Sequence, residues 1–161
     1  VHQIVAGGKE RYHSVYAGIE QLQDCEIVFI HDGARPMLSG EMLERLYQDV
    51  KKTGACVAGM PAKDTIKIAD EEGNIAMTPD RNLVWTIQTP QVFETSLILQ
   101  AYERLKNRLP RMQEQGIQVT DDASVVELFT ETRVKLVEAS YQNIKITTPE
   151  DMKTAEAFLE D

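Results

Sequence analysis

The sequence predicts an α/β domain of the doubly wound type, with helices on both faces of a parallel sheet. Two short apolar runs, CEIVFI at 25–30 and ACVAGMP at 55–61, lack polar alternation, as expected for strands buried on both faces. Between them, SGEMLERLYQDVKK at 39–52 carries apolar residues at helical spacing. Strands that alternate with helices in this way favour right-handed crossover connections.

Local signals extend this pattern along the chain. Strands are also expected at 2–6, 133–139 and 143–147. Helices are expected at 10–23, 39–52, from about Thr95 to Leu109, at 121–130 and from Pro149 onwards. The residues expected to cap helices are Ser39, Thr120 and Thr148.

The middle of the chain departs from the alternation of strands and helices. DTIKIADEEGNIAMTPDR at 64–81 reads as two short strands joined by the polar turn DEEG, which predicts a hairpin. A two-stranded hairpin is not stable alone in water, so it must lie on its own domain or on a neighbouring chain. We therefore expect one domain over 1–161 with an arm at about 62–84. The arm either joins two subunits or forms a surface flap.

Composition limits the classes of partner. The chain has 161 residues and a net charge of −9, which argues against a surface for nucleic acid or anionic membranes. It contains no signal peptide and no apolar run of transmembrane length, so a cytoplasmic location is expected. Cys25 and Cys56 belong to no metal or redox motif and are expected to be buried thiols. Because the chain opens without methionine on a strand-like segment, we expect it to be the later part of a longer protein.

The motif HDGARP at 31–36 follows an apolar strand and is the first candidate site. Ligands of open α/β sheets bind beyond the carboxyl ends of the strands. Asp32 there is a hard oxygen ligand suited to Mg²⁺ carrying phosphates, and Gly33 permits close backbone approach. Arg35 can brace the loop or meet a phosphate. The same residues also fit an ordinary turn in which Arg35 pairs with Asp32.

Weaker signals surround this motif. The pair of glycines in AGGKERYHS precedes a helix, where backbone N–H groups can bind an anion or simply cap the helix. Arg81 and Lys145 are notable cations, although Lys145 also fits an exposed edge strand. His31 fits a packed histidine better than a general base.

Six segments together resemble a known family. GGKERYHSVYAGI, VFIHDGARP, PAKDTIKI, DRNLVWTIQTPQVF, TDDASVVE and NIKITTPED occur in an order and spacing similar to 2-C-methyl-D-erythritol 4-phosphate cytidylyltransferases. The resemblance runs from Gly7 to about Leu159. It implies a three-layer, Rossmann-like nucleotidyltransferase fold with a protruding β-arm that pairs two subunits. It also implies transfer of CMP from CTP to methylerythritol phosphate with Mg²⁺ or another divalent cation, in non-mevalonate isoprenoid synthesis.

The resemblance also implies roles for individual residues. Gly8, Ser14, Asp32, Gly33 and Arg35 would bind the nucleotide, and Asp32 would also hold the metal. The sugar-alcohol phosphate would be bound by Thr65, Arg81, Thr89, Thr120 and Lys145. Arg81 and Lys145 are the expected catalytic residues, with Thr65 and Arg81 reaching the partner subunit's site.

Two departures from the family pattern bear on activity. The family begins with a glycine-rich segment that grips the triphosphate, and a chain without that segment is expected to be inactive. Gln142 stands where related enzymes often carry an acid, so a second protein ligand for the metal is in doubt. The alternatives are a cytidylyltransferase for another alditol phosphate, such as ribitol 5-phosphate, and a non-catalytic dimerisation or binding module.

Overall fold

The structure is a computed structural model that describes residues 1–22 and 24–160. The helices are α1 (Arg11–Ile19), α2 (Gly40–Thr53), α3 (Thr95–Glu114), α4 (Asp122–Phe129) and α5 (Pro149–Glu160). The strands are β1 (Ile27–Ile30), β2 (Ala55–Pro61), β3 (Ile68–Ala69), β4 (Ile75–Met77), β5 (Trp85–Glu94) and β6 (Lys135–Glu138). Helix α1 ends at Ile19, earlier than the expected helix at 10–23. Gln23, the last residue of that expected helix, lies outside the described residues.

The main sheet has the strand order β1-β5-β2-β6 and is mixed, so the expectation of a parallel sheet is wrong in one strand. Strand β5 runs antiparallel to both of its neighbours, β1 and β2, whereas β2 and β6 are parallel. The reason lies in the connection. The chain leaves β2, forms the arm and returns directly into β5, and antiparallel neighbours need no helical crossover.

Helices cover both faces of the sheet, which confirms the three-layer α/β arrangement. Strand β2 alternates between the layers, because Val57 packs with α3 and α4 while Cys56 packs with α2. On β5, Phe93 packs in the layer of α3 and α4, and Val92 packs in the layer of α2. The inward face of α2 carries Met42, Leu46 and Val50, all buried as the helical spacing predicts.

Two expected strands do not form. Residues 2–6 are exposed, and within the described part of the chain no strand pairs with them. Residues 143–147 are also irregular, although the Ile146 N–H donates to the Ala34 carbonyl at 2.8 Å. A β-branched run forms a strand only when a neighbouring strand pairs with it through several backbone hydrogen bonds. A single backbone hydrogen bond is not enough.

The predicted helix starts are confirmed in two cases and wrong in one. Ser39 accepts from the Met42 N–H at 3.2 Å, and Thr148 accepts from the Asp151 N–H at 3.3 Å. Helix α4 is capped by Asp121 rather than Thr120, because the Asp121 carboxylate accepts from the Ser124 N–H at 2.9 Å. A carboxylate is favoured over a hydroxyl at the positive end of a helix.

Helix α3 runs five residues past the expected end at Leu109, to Glu114, and includes Pro110. Its buried face carries Ile98, Tyr102 and Leu105. This long packed stripe stabilises the helix despite the backbone hydrogen bond that proline cannot make.

The predicted hairpin is confirmed. Strands β3 and β4 pair antiparallel, and all their residues are exposed. Asp70 shapes the turn by accepting from the Glu72 and Asn74 N–H groups at 3.1 and 2.8 Å, and Gly73 has a φ of 86° that favours glycine. The hairpin therefore forms with exposed strands, and its role as a subunit-joining arm or a surface flap stays a prediction.

The cysteines only partly match expectation. Cys56 is buried, and burial raises its pKa to about 12, whereas Cys25 is exposed in the loop before β1. Both thiols are free. Across residues 1–22 and 24–160, none of the helices combines the length and apolar character that crossing a membrane requires.

Candidate active site

Asp32 lies at the centre of a cluster of cations beyond the carboxyl end of β1. Its carboxylate is 3.1 Å from Nζ of Lys145, 3.6 Å from Nε of Arg35 and 3.7 Å from Nε of Arg11. Strands β1 and β2 are both antiparallel to β5, and β6 is parallel to β2. The carboxyl ends of β1, β2 and β6 therefore lie at the same edge of the sheet. The topology therefore brings HDGARP, the arm and the segment with Lys145 together.

Arg11 is fixed from behind by a buried carboxylate. Its Nη1 and Nη2 donate to the two carboxylate oxygens of Asp122 at 2.9 and 2.7 Å, a bidentate arrangement. Asp122 is fully buried and also accepts from the Tyr102 hydroxyl at 2.6 Å. Burial opposes the charge of Arg11, yet the hydrogen bonds and charge of Asp122 outweigh it and raise the Arg11 pKa. Arg11 is therefore a permanent, oriented cation.

The loop at 31–35 is held by a chain of hydrogen bonds through Thr89. The Asp32 N–H donates to Oγ1 of Thr89 at 3.0 Å, and that hydroxyl lies 2.9 Å from Nδ1 of His31. Nε2 of His31 lies 2.8 Å from the Arg35 carbonyl, which can only accept. This requires a proton on Nε2, so in the neutral ring Nδ1 accepts from the Thr89 hydroxyl. His31 is thus a packed and satisfied histidine, as the sequence favours.

Arg35 braces the segment that carries Lys145. Its Nη1 donates to the Asn143 carbonyl at 2.7 Å. Asn143 is completely buried, and its Nδ2 donates to Oε1 of Gln88 at 3.0 Å and to the Thr89 carbonyl at 2.8 Å. Arg35 therefore braces this segment with a side chain that is only 13% exposed, and its contact with a phosphate stays a prediction.

These cations change the titration of Asp32. Burial raises its pKa, but the hydrogen bond and charge of Lys145 and the charges of Arg11 and Arg35 outweigh burial, so the pKa lies below its ordinary value of 3.8. A lowered carboxylate pKa stabilises the fold above the unfolded pKa, and this stabilisation is lost as the pH falls through the folded pKa.

We therefore expect acid to destabilise the wild-type protein more steeply than an Asp32→Asn variant below about pH 4. Melting temperatures measured from pH 6 to pH 3 for both proteins would show this as converging curves. Parallel curves throughout that range would contradict a lowered pKa for Asp32.

The glycine loop packs tightly on the start of α1. The Gly8 N–H donates to Oγ of Ser14 at 3.1 Å. A Cβ at Gly8 would lie 2.3 Å from Cβ of His13, so only glycine fits there. Gly8 and Ser14 are thus adjacent, and Arg11 on the same helix links them to Asp32.

Of the remaining predicted residues, Thr65, Arg81 and Thr120 are outside the Asp32 loop, and Gly33 is within it. Arg81 is exposed, and its Nη1 donates to the Lys63 carbonyl at 3.3 Å in the arm. Thr65 is also exposed in the arm, and Thr120 is exposed before α4. Gly33 is exposed in the loop of Asp32. Among the described residues, no contact joins Arg81 or Thr65 to Asp32.

Sequence reasoning missed Arg11, Tyr102, Gln88 and Asn143. A signal existed for Arg11, because a cation in the first turn of a helix opposes the helix dipole unless an acid compensates it. That acid, Asp122, is distant in sequence and lies in the first turn of α4, where a carboxylate is already favoured by the positive helix end. Gln88 and Asn143 give no such signal, since buried amides are recognised only by their partners.

Comparison with known proteins decides the family. The model of the family IspD: 2-C-methyl-D-erythritol 4-phosphate cytidylyltransferase matches residues 1–161. The chain belongs to this family. It is 48% identical over 157 residues to the 2-C-methyl-D-erythritol 4-phosphate cytidylyltransferase of Lachnospira eligens, covering 98% of this chain and 67% of the relative. It is 49% identical over 158 residues to that of Caldanaerobacter subterraneus subsp. tengcongensis, covering 98% and 66%.

Solved structures of this cytidylyltransferase family share the fold. The 4-diphosphocytidyl-2C-methyl-D-erythritol synthase of Anaerococcus prevotii superposes with a TM-score of 0.86 at 36% identity, over 99% of this chain and 70% of that one. The 2-C-methyl-D-erythritol 4-phosphate cytidylyltransferase of Thermus thermophilus gives 0.78 at 30% identity, over 98% and 73%. The expected Rossmann-like nucleotidyltransferase fold is confirmed, and this chain spans about two thirds of the length of its relatives.

Proposed function

We propose that this chain belongs to an enzyme that transfers CMP from CTP to 2-C-methyl-D-erythritol 4-phosphate and releases pyrophosphate. The observation that carries this proposal is the cluster around Asp32. Three cationic side chains, Arg11, Arg35 and Lys145, surround two acidic ones, Asp32 and Asp122, so the cluster has one net positive charge. A local positive charge on a chain of net charge −9 favours phosphate at this edge of the sheet.

The reaction needs two anions held side by side. A phosphate oxygen of the sugar alcohol attacks the α-phosphorus of CTP, and the bond to the pyrophosphate oxygen breaks. Lys145 is 46% exposed while it touches Asp32, so its ammonium can reach an incoming phosphate without leaving the cluster. Cations fixed before the reaction stabilise developing charge and keep the attacking group in line.

The donor set fits a divalent cation that arrives with phosphates. Asp32 provides one hard carboxylate, and among the described residues no three side chains of His, Cys, Asp or Glu gather to hold a metal. One carboxylate is enough for Mg²⁺, which usually keeps water and phosphate oxygens as its other ligands. Asp32 would hold the ion, which would neutralise charge on the phosphates. Gln142 is exposed, and its neutral amide adds little to such a site.

Pyrophosphate release by the complete gene product tests the proposal. With CTP and Mg²⁺, we expect release with 2-C-methyl-D-erythritol 4-phosphate and much slower release with ribitol 5-phosphate. Equal or faster turnover of ribitol 5-phosphate would favour the other alditol phosphate, which the named relatives do not support. No release with either acceptor would favour a non-catalytic module.

We also propose that the arm joins two copies of this chain. The strands of the arm carry apolar side chains that are exposed to water in the single chain. Exposed apolar area on strands is unfavourable unless another protein surface covers it. The exposed apolar residues of the arm are Ile66, Ile68, Ile75, Met77 and Leu83. In such a dimer, Thr65 and Arg81 would contribute to the site of the partner subunit.

Mixing two inactive variants tests this exchange of residues. Arg81→Ala and Asp32→Asn are each expected to be nearly inactive alone. A mixed dimer places an intact Asp32 beside an intact Arg81 from the other chain, so unfolding and refolding the two together should restore about a quarter of wild-type activity. Light scattering would verify the dimer mass. A dimer that regains no activity on mixing would contradict the placement of Arg81 across the interface.

A further inference from the structure

Tyr141 contacts the root of the arm from the loop that follows β6. Its hydroxyl donates to the Pro61 carbonyl at 2.9 Å, where β2 ends and the arm begins. Nζ of Lys63 lies 3.5 Å from the centroid of the Tyr141 ring, a close cation–π contact. Tyr141 is nevertheless 42% exposed, so burial of apolar area does not explain its position.

The contacted root leads directly to Arg81. The Lys63 carbonyl accepts from Nη1 of Arg81 at 3.3 Å, so the position of Lys63 affects the position of the guanidinium. The Ala62 N–H donates to the Val84 carbonyl at 2.9 Å and closes the base of the arm. Tyr141 therefore touches the residues at 61–63 that set where the arm leaves the domain.

On its other side, Tyr141 is anchored by a buried network. The carbonyl of the preceding Ser140 accepts from Nε2 of Gln88 at 2.9 Å. The same Gln88 accepts from buried Asn143, two residues before Lys145. The loop that carries Tyr141 is thus tied to the rigid sheet, whereas the strands of the arm are exposed on all sides.

We infer that Tyr141 is a positioning residue that fixes the root of the arm, and through Lys63 the guanidinium of Arg81, against the segment carrying Lys145. This inference rests on the proposed function, because it concerns the side of the site that would bind the sugar-alcohol phosphate. Tyr141 would thus connect Lys145, which would serve the site of its own chain, with Arg81, which would serve the site of the partner subunit.

The two contacts of Tyr141 can be separated by substitution. Tyr141→Phe removes only the hydrogen bond to Pro61, Lys63→Met removes only the cation over the ring, and Tyr141→Ala removes both. Each single loss should lower kcat/KM for 2-C-methyl-D-erythritol 4-phosphate about threefold, and Tyr141→Ala about tenfold. The KM for CTP should stay within about twofold, because in the described part of the chain Tyr141 contacts Pro61 and Lys63 and not the nucleotide side of the cluster.

A matched control is available on α2. Tyr47 is 39% exposed and lies under Lys51 at 5.2 Å, so Tyr47→Ala removes a comparable exposed cation–π pair remote from the arm. Hydrogen–deuterium exchange provides a readout independent of turnover. Tyr141→Ala should accelerate exchange at 62–84, whereas Tyr47→Ala should not.

The outcomes separate this inference from the proposed function. An active wild type combined with unchanged acceptor kinetics in Tyr141→Ala would overturn the positioning role and leave the proposed function standing. Equal losses for CTP and for the acceptor, with unchanged exchange in the arm, would also overturn it. A wild type that turns over neither acceptor defeats the proposed function, and exchange at 62–84 then decides the anchoring of the arm by itself.

Discussion

Asp32→Asn should lower turnover by about a hundredfold or more while the protein remains folded. Asparagine keeps the size of the side chain but removes the charge that Lys145, Arg35 and Arg11 share. The proposed metal then loses its carboxylate ligand, and a neutral amide is a weaker ligand for Mg²⁺. The fold should survive, because the Asp32 N–H still reaches Thr89 and the Ile146 N–H still reaches the Ala34 carbonyl.

Magnesium titration distinguishes loss of the metal ligand from general damage. The Mg²⁺ concentration for half-maximal activity should rise in Asp32→Asn, with near-wild-type circular dichroism at pH 7. Asp49→Asn on α2 is a control that neutralises a carboxylate on the opposite face of the sheet and should retain activity. Turnover in Asp32→Asn close to that of wild type would remove Asp32 from the proposed chemistry.

Features fixed by short-range physics were predictable from the sequence. Ser39 caps α2 because its hydroxyl is three residues before a free N–H, and the apolar positions of that helix repeat at helical spacing. The hairpin followed from a polar turn between two β-branched runs. The position of Asp32 was predictable because an apolar strand stops abruptly before an acid, and ligands bind beyond such strand ends. Its role in binding stays a prediction.

Features that depend on distant partners were not predictable in this way. The runs at 2–6 and 143–147 have the composition of strands, but pairing decides whether a strand forms. The direction of β5 depends on where the arm returns the chain, which no local pattern records. Arg11 shows the same limit, because its partner Asp122 is 111 residues away in sequence.

Arg11→Met should lower the free energy of unfolding by about 3 kcal/mol, at the lower end of the range for breaking a buried ion pair. Asp122 has no exposure and, among the described residues, would keep the Tyr102 hydroxyl as its side-chain partner, so folding would bury a charge without its cation or force the carboxylate to take up a proton. The effect should not be larger, because the Arg11 side chain is 37% exposed and already partly solvated. Urea unfolding monitored by circular dichroism measures this difference, and Arg108→Met, an exposed arginine on α3, should change it by less than about 0.5 kcal/mol.

A double-mutant cycle separates the ion pair from the volume of the side chains. Asp122→Asn alone removes the charge, while Arg11 can turn towards solvent and Asp32, so its cost should be smaller than that of Arg11→Met. The double variant Arg11→Met/Asp122→Asn buries no charge and should be more stable than the sum of the single losses predicts. Additive losses would mean that Arg11 stabilises the fold by packing on its neighbours. A strong positive coupling energy between the two substitutions would mean that the buried carboxylate of Asp122 is stabilised by its ion pair with Arg11. That ion pair also holds Arg11 beside Asp32.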